Sequence, residues 1–330
     1  GLMSANKGEA YRTIIADLSS LSLRWNEIKQ ELNNGYSPNG NSYEIVFSNI
    51  VDSADLGVAQ RRKRLIIIGI RKDLTNDDWM KIGDIKQLVQ KQLFGYNSLF
   101  KKYPLTPLEV FEGLPLPELE EKYQEIMTEY KSLEHDNTPQ STKWFKETYS
   151  LSNMNLIEDY LRINKVSKLD QNELDIAFKE HEVILKKLGY YKRAVDQVKF
   201  NDKSNEIPSE SNSVVERMKH IPPDENHMFV KGTQWNVEGR GMSLIYRRLH
   251  PLKPSYTVVA YGGGGTWGYH YDYNRAKLSN RERARLQSFP DWYLFKGSNS
   301  QIRAQIGEAV PPILGEAISE VALKIFSRCC

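Results

Sequence analysis

The chain of 330 residues has 40% hydrophobic residues, enough for one large domain or two smaller ones with their own cores. A net charge of +3 permits a nucleic-acid partner but does not indicate one, because binding needs basic groups concentrated on one surface. The only cysteines are Cys329 and Cys330, which excludes a disulfide framework, a Cys/His metal site and an internal cysteine nucleophile. Without a signal peptide or an apolar run of about 18 residues, we expect a soluble intracellular protein that does not enter a membrane.

The first predicted elements come from the spacing of apolar residues. These residues recur every three or four positions between Gly8 and Leu23, which predicts a helix. A strand is predicted from Tyr43 to Phe47. A second strand is predicted from Leu65 to Ile70, and we expect it to be buried because it is short, β-branched and without a polar face. Helix, strand, loop and strand in this order predict the end of an α/β sheet.

A run of four basic residues, Arg61-Arg62-Lys63-Arg64, stands directly before the second strand. A bare charge run is more often a solvated face than a binding site, and both interpretations stay open from the residues alone. Alternate side chains of an extended segment point to opposite sides, so we expect Arg62 and Arg64 to share one side, opposite to Arg61. One of the two sides could then serve a site.

The middle of the chain is predicted to be helical around residues 119–133 and 174–188, the first stretch with an acidic outer face. The apolar stripes of both stretches are interpreted as core contacts, and His181 on the second stripe as a packed histidine. The polar segment Asn201–Ser213 is predicted to be a linker or a mobile loop.

The end of the chain carries two helix-start signals. Ser279 and Glu282 have capping-box spacing and predict a short helix, and Pro311-Pro312 begins a final one. Between the middle and these helices lies the run Gly262 to Gly265. No Gly-Lys-Ser/Thr follows it, so a nucleotide-binding loop is a weak interpretation, and composition alone leaves a flexible loop and a binding loop equally open.

Four blocks together resemble the DNA (cytosine-5) methyltransferases. GVAQRRKRLIIIGIRKDL looks like the Gln-x-Arg-x-Arg block of that family, and YRRLHPLKPSYTVVAYGGGG continues the resemblance at Arg248, Pro254 and Thr257. LSNRERARLQSFPD then leads to QIGEAVPP, which is similar to the family's last block. The opening GLMSANKGEAYRTI resembles the segment after the family's Glu-Asn-Val motif. The blocks stand in the family's order and cover about residues 1–75 and 245–330.

The resemblance implies an α/β fold, namely the C-terminal portion of a Rossmann-like S-adenosylmethionine-dependent methyltransferase sheet plus a DNA target-recognition domain with a helical insertion. Residues 1–75 would be the end of the catalytic domain. Residues 76–277 would be the variable region and the target-recognition domain, with the insertion at about 115–199. Residues 278–330 would return to the catalytic domain with the last block and the C-terminal helix.

The resemblance also implies a reaction. The family attacks C6 of a flipped-out cytosine in double-stranded DNA with a cysteine thiolate and moves the methyl group of S-adenosylmethionine to C5. Arg64 would donate to the cytosine O2 and stabilise charge on the ring, Arg62 would brace the catalytic loop or a phosphate, and Gln60 would shape that loop. The implied DNA contacts are Arg248, Thr257, Tyr261, Gly262, Gly263 and Gly264, and the implied wall of the cofactor pocket is Gly307, Glu308, Ala309 and Val310. No metal is implied.

Three of the family's features are missing from the sequence: the cofactor loop, the Pro-Cys nucleophile motif and the Glu-Asn-Val glutamate. Glu308 also stands where the family usually has Asn. We therefore expect the C-terminal part of the enzyme, inactive alone, which an N-terminal half or subunit with the nucleophile completes. The completed enzyme would serve a bacterial restriction–modification system in the cytoplasm, associated with the nucleoid when bound to DNA.

Two alternatives remain at the level of the sequence. The chain could be a non-catalytic, sequence-specific DNA-binding module derived from the same family. A plainer alternative is a soluble α/β protein whose basic run is only a surface patch.

Overall fold

The computed structural model describes residues 3–20, 42–72, 82–94, 98–151, 154–237, 244–261 and 268–326. They belong to two compact units. Unit 1 comprises Gly1–Asp52, Lys63–Asn97 and Gly315–Cys330, and unit 2 comprises Ser53–Arg62 and Ser98–Leu314. Within the described residues, no helix combines the length and the apolar character needed to cross a membrane.

The regular elements of the described residues are two strands and a series of mostly short helices. The strands are β1 (Tyr43–Asp52) and β2 (Lys63–Arg71). The helices are α1 (Glu9–Ser19), α2 (Ile82–Phe94), α3 (Pro107–Glu112), α4 (Glu120–Glu129), α5 (Pro139–Trp144), α6 (Leu156–Ile163), α7 (Gln171–Lys187), α8 (Asn212–Lys219), α9 (Asn280–Leu286), α10 (Asn299–Glu308) and α11 (Pro312–Phe326).

Unit 1 contains a two-stranded antiparallel sheet in which β1 pairs with β2. Ser48 lies opposite Ile67, and an irregularity between Ile45 and Phe47 shifts the register. Both predicted strands are confirmed, and β1 is longer than expected. The predicted burial of the second strand is wrong, because most of its side chains are half-buried or exposed. Its β-branched run reflects strand propensity and not burial on both faces. The Rossmann-like sheet stays a prediction.

Helices of unit 1 pack on the sheet and on each other. The hydroxyl groups of Tyr11 on α1 and Ser48 on β1 are 2.8 Å apart, which ties the predicted first helix to the first strand. The α1 helix ends at Ser19 with Ser20 as its non-helical C-cap, and residues 21–23 of the predicted helix lie outside the described residues. Gln92 on α2 donates to Glu320 and accepts from Lys324 at 3.1 Å, so α2 and α11 are linked by side chains.

Unit 2 holds a core rich in aromatic residues, with helices that begin at well-formed caps. Thr106, Thr138, Ser279 and Ser298 each cap a helix through a capping box. The capping box predicted at Ser279 and the final helix predicted from Pro312 are therefore confirmed. The helix predicted over 119–133 ends at Glu129 and continues as a 3-10 turn.

A buried ion pair joins α3 to α7. Nδ1 of fully buried His181 lies 2.7 Å from Oε1 of Glu109, and Nε2 lies 3.0 Å from the carbonyl oxygen of Tyr103. The predicted packed role of His181 is confirmed. Because both ring nitrogens face acceptors, the geometry suits an imidazolium. Burial alone would lower the pKa of His181, but the charge and the hydrogen bonds of Glu109 and Tyr103 outweigh it and raise that pKa.

Every residue of α9 is buried, including three arginines. Arg285 makes a bidentate pair with Asp291, at 3.0 and 2.5 Å, and its third nitrogen donates to the carbonyl oxygens of Val110 and Arg193. Such a charge is costly to bury unless its donors are satisfied. The α9 helix is thereby tied into unit 2, which holds residues 278–314. The predicted organisation instead joined residues 278–330 to the catalytic domain.

Two residues of the segment predicted as a linker or mobile loop, Asn201–Ser213, contact α9. Arg281 donates to Ser204 Oγ and to Asp202 Oδ2, both at 2.8 Å. Ser204 and the side chain of Asp202 are almost fully buried. The segment is therefore anchored at these two residues, whereas its other residues are exposed or half-buried.

We expect Glu109→Gln to lower the free energy of unfolding by about 1.5–3 kcal/mol near pH 6, because the substitution removes the charged partner of His181. Because the pKa of His181 is raised in the folded state, its ion pair with Glu109 stabilises the protein fully below the unfolded-state pKa of about 6.5. This stabilisation is lost as the pH rises through the folded-state pKa of His181. The deficit should therefore shrink at about pH 9. Urea unfolding at both pH values measures it.

The matched control is Glu121→Gln, since Glu121 is an exposed glutamate on α4. We expect it to change the stability by less than about 0.5 kcal/mol at either pH. An equal deficit for Glu109→Gln at both pH values would contradict an ionised Glu109–His181 pair.

Candidate nucleic-acid interface

The residues between the two strands, 53–62, form a closed loop that we call the arginine loop. It begins with a 3-10 turn from Ser53 to Leu56. Ser53 closes it, because its hydroxyl donates to the carbonyl oxygen of Gln60 at 3.1 Å and its backbone nitrogen to that of Arg62 at 3.2 Å. Gly57 has a φ of 92°, and a Cβ there would lie 2.4 Å from Cδ1 of Ile184. Local hydrogen bonds and close packing thus fix the loop.

The arginine loop pairs with residues 255–258 through backbone hydrogen bonds. The Ser255 nitrogen donates to Ala59 at 3.0 Å, and the Arg61 nitrogen donates to the carbonyl oxygen of Ser255 at 2.9 Å. Thr257, one of the predicted DNA contacts, is half-buried and donates through Oγ1 to the carbonyl oxygen of Arg61 at 3.0 Å. The structure therefore brings two of the family-like blocks side by side.

Gln60 is fully buried within this pairing. Its Oε1 accepts a hydrogen bond from the backbone nitrogen of Val258 at 2.6 Å. Its Nε2 is buried and has no hydrogen-bond partner among the described residues. Gln60 thus acts from inside the loop and supports its contact with the Val258 backbone.

Arg62 is buried and connects the loop to two distant parts of unit 2. Nη1 donates to the carbonyl oxygen of Val258 at 3.1 Å, and Nη2 donates to that of Gly307 at 2.9 Å. Only 4% of Arg62 is exposed, which leaves no surface for a phosphate. The other predicted role of Arg62, bracing of the catalytic loop, stays a prediction.

Gly307 lies near the end of α10, where the helix meets the backbone of residues 259–260. A Cβ at Gly307 would be 2.1 Å from the Ala260 nitrogen and 2.5 Å from the Val259 carbonyl carbon. No side chain fits in this space. Gly307 is thus required for packing, and its carbonyl oxygen is used by Arg62.

The four residues predicted to wall the cofactor pocket lie at the C-terminal end of α10 and directly after it. Gly307 packs against backbone, and the Glu308 carboxylate accepts a hydrogen bond from the Tyr261 hydroxyl at 2.6 Å. Ala309 is partly buried and Val310 is 57% exposed. The predicted role of all four residues as a wall of the S-adenosylmethionine pocket stays a prediction.

Tyr261 is 72% exposed and stands at the end of the described part of its segment. The hydrogen bond from its hydroxyl to Glu308 and the negative charge of Glu308 raise the pKa of Tyr261. The predicted DNA contacts Gly262, Gly263 and Gly264 lie outside the described residues.

Arg64 belongs to β2 in unit 1, opposite Val51. It is exposed, and its Nη1 donates to the carbonyl oxygen of Lys63 at 2.8 Å. Arg61 is exposed and Arg62 is buried, as the predicted alternation of side chains requires. Arg64 is exposed and therefore does not share the burial of Arg62. The strand that begins at Lys63 leaves both of its first side chains exposed.

Arg248, one of the predicted DNA contacts, is fully buried. Its guanidinium donates to the carbonyl oxygens of Met218 and Asp272, both at 2.5 Å, and of His270 at 2.6 Å. Burial lowers the pKa of Arg248 from its usual value. Its place in the fold is to join three backbone segments of unit 2.

The sequence did not indicate two residues on which the loop contact depends. The Val258 backbone offers both its N–H and its carbonyl group to the loop, and Ser255 offers the same groups. Backbone groups are present in every residue, so no sequence signal could have identified these positions.

The model of the C-5 cytosine-specific DNA methylase family matches residues 19–324. The chain belongs to this family. It is 51% identical over 327 residues to the DNA (cytosine-5-)-methyltransferase M.ApeKI of Aeropyrum pernix, which covers 98% of this chain and 70% of that protein. It is 43% identical over 162 residues to the type II methyltransferase M.BbvI of Brevibacillus brevis, 48% of this chain and 43% of that protein. With M.NgoFVII of Neisseria gonorrhoeae it shares 41% identity over 143 residues, 41% of this chain and 36% of that protein.

In this DNA methylase we expect Gly307→Ala to lower the free energy of unfolding by about 2–3 kcal/mol or more, because the new methyl group overlaps the Ala260 backbone. The control is Gly315→Ala in α11, where nothing lies within 4 Å of the added Cβ. It should be neutral or stabilise by about 0.5–1 kcal/mol, since alanine favours a helix. Urea unfolding compares the two. Equal effects would contradict the close approach at Gly307.

Proposed function

We propose that this chain supplies the target-recognition region and the arginine side of the active site for methylation of cytosine C5 in double-stranded DNA. One observation carries the proposal: Arg62 holds the arginine loop, the Val258 backbone and Gly307 together. These are parts of three family-like blocks. A loop held in this way enters the reaction already in position and loses little freedom when DNA binds.

Arg64 is the proposed catalytic residue. Among the described residues its guanidinium is engaged only with the Lys63 carbonyl oxygen, so most of its five N–H donors are available to a substrate. A guanidinium near the cytosine O2 would stabilise negative charge as it develops on the ring. The reaction itself forms a bond between a thiolate and C6, transfers a methyl group to C5, and then releases the C5 proton and the thiolate.

Thr257 and Tyr261 are the proposed DNA-facing residues of unit 2, with Gly262, Gly263 and Gly264 following them along the chain. Tyr261 is exposed, and its hydroxyl is held by Glu308, so its ring is positioned at the surface. Thr257 is fixed to the arginine loop. DNA backbone contacts by such residues would offset part of the cost of flipping the cytosine, a few kcal/mol.

The methyl donor of the proposed reaction is S-adenosylmethionine, which enzymes of this family generally use. The proposed nucleophile is a cysteine outside these 330 residues, on an N-terminal segment or subunit. The support for this is that the chain's only cysteines are Cys329 and Cys330. Domain limits of 1–75, 76–277 and 278–330, cytoplasmic location and service in a restriction–modification system belong to the same proposal.

The rival proposal is a DNA-binding module without catalysis, and the missing internal cysteine is the observation that favours it. Arg64 distinguishes the two. In a binding module it would contact a phosphate, and its loss would weaken DNA binding and reduce the salt dependence of that binding.

For the proposed enzyme we expect Arg64→Ala to lower kcat/KM for methyl transfer about 10²–10³-fold while the Kd for DNA changes less than about twofold. The control is Lys63→Ala, which removes the neighbouring exposed cation and should leave kcat nearly unchanged. The assay follows labelled methyl groups transferred to mixed-sequence DNA by each variant mixed with a separately supplied N-terminal segment. Weaker DNA binding with unchanged kcat for Arg64→Ala would favour the binding module.

The origin of the nucleophile has its own test. Methyl transfer is measured for this chain alone and for a mixture with a separately supplied N-terminal segment of an intact relative. We expect activity only in the mixture. Activity of the chain alone would overturn the external nucleophile, and DNA binding without activity in both would favour the binding module.

A further inference from the structure

A cavity of about 250 Å³ opens in unit 2, away in sequence from both the arginine loop and residues 255–261. It lies beside the 3-10 turn Tyr130–Asp136 and the C-terminal end of α8. Its lining combines aromatic, apolar and hydrogen-bonding side chains: His135, Asp136, Thr138, His220, Phe229, Val230, Thr233, Gln234 and Trp235.

One wall of the cavity is a pair of stacked rings. The His220 and Trp235 rings have centroids 5.0 Å apart and planes 21° apart. Trp235 is held at its backbone, because Arg217 Nε donates to its carbonyl oxygen at 2.9 Å and its nitrogen donates to Thr233 Oγ1 at 3.1 Å. Phe229 and Val230, both buried, add apolar surface. The rings are thus in place before any ligand arrives.

The polar side of the cavity is a carboxylate that is only partly used. Nδ1 of His220 lies 2.8 Å from Oδ2 of Asp136, which orients both groups. Asp136 Oδ1 has no partner among the described residues. The Asp136 side chain is 22% exposed and lines the cavity. An ionised carboxylate accepts hydrogen bonds and donates none. Gln234, exposed at the rim, adds an amide.

We propose that this cavity binds one unstacked nucleobase that carries an exocyclic amino group. A flat ring system suits the stacked wall and the small volume, as in other single-base sites built on aromatic side chains. The amino group would donate to Asp136, the contact that carboxylates make with cytosine N4. Thymine has no amino group, and the carbonyl oxygens beside its single N–H would face a carboxylate. The DNA form of the ligand rests on the proposed function.

A metal ion is the other ligand that histidine and aspartate side chains commonly bind. In the described part of the chain, however, no group of three or more His, Cys, Asp or Glu residues is arranged to hold a metal. The Trp235 ring also contributes nothing to metal binding, whereas it accounts for a planar ligand.

The first experiment titrates the full 330-residue chain with dAMP, dCMP, dGMP and dTMP by isothermal titration calorimetry. We expect dTMP to bind at least tenfold more weakly than the best of the others. Asp136→Asn should bring the ratio near one, because an amide donates as well as accepts and still accommodates His220. No binding of any nucleotide, or a ratio that Asp136→Asn leaves unchanged, would overturn the proposal.

Stacking is tested separately with a matched pair of variants. Trp235→Leu should weaken nucleotide binding at least tenfold, whereas Trp292→Leu should not, since Trp292 is 74% exposed and does not line the cavity. Equal affinities for the two variants would overturn the role of the stacked wall. Circular dichroism of both variants shows whether the fold is kept.

The source of the base is tested with DNA. A tenfold higher Kd of the Asp136→Asn variant for double-stranded DNA would support a base taken from the duplex. An unchanged Kd for DNA, together with altered nucleotide selectivity, would support a free nucleotide. If the unaltered chain fails to bind DNA, the proposed function fails, but the nucleotide titration still decides the cavity. The two failures are therefore distinguishable.

Discussion

The buried guanidinium of Arg62 is the contact on which the arrangement of the arginine loop depends. Its two hydrogen bonds reach residues 196 and 245 positions further along the chain. Burying such a charge costs several kcal/mol unless hydrogen bonds offset it. Arginine suits this place because its rigid, planar fork directs donors to two carbonyl oxygens at once, which the point charge of lysine does not.

Two further features make that contact possible. Gly307 lets α10 approach the backbone of residues 259–260 closely enough for its carbonyl oxygen to meet Arg62. Gln60 accepts a hydrogen bond from the N–H group of Val258, the residue whose carbonyl oxygen Arg62 contacts. Side chains of the arginine loop therefore fix the backbone around Val258, and a change at Arg62, Gln60 or Gly307 would displace the other two.

Buried arginines serve the same purpose elsewhere in unit 2. Arg248, Arg281 and Arg285 are almost fully buried and end on backbone carbonyl oxygens, serine or aspartate. These arginines, which are clustered late in the chain, therefore stabilise the interior of unit 2. Arg61, Lys63 and Arg64, in contrast, are exposed just before and at the beginning of β2. The cavity beside His220, the proposed nucleobase site, lies in the less regular middle of the chain.

The sequence by itself determined the local elements and the family. Periodicity and capping residues placed β1, α7, α9 and α11, because those signals are carried by neighbouring residues. The family-like blocks indicated a DNA methylase, which the match over residues 19–324 confirms. Packed His181 was also predictable, since it stands on an apolar stripe.

Only the tertiary structure decided which polar residues are buried and which face solvent. Arg62 and Arg248 are interior, Arg64 is exposed, and the polar segment at Asp202 and Ser204 is packed against a guanidinium. Burial of a charged group depends on partners that are distant in sequence, most of them backbone carbonyl groups that every residue has. A sequence pattern carries no record of such partners, so it identified the arginines but not their roles.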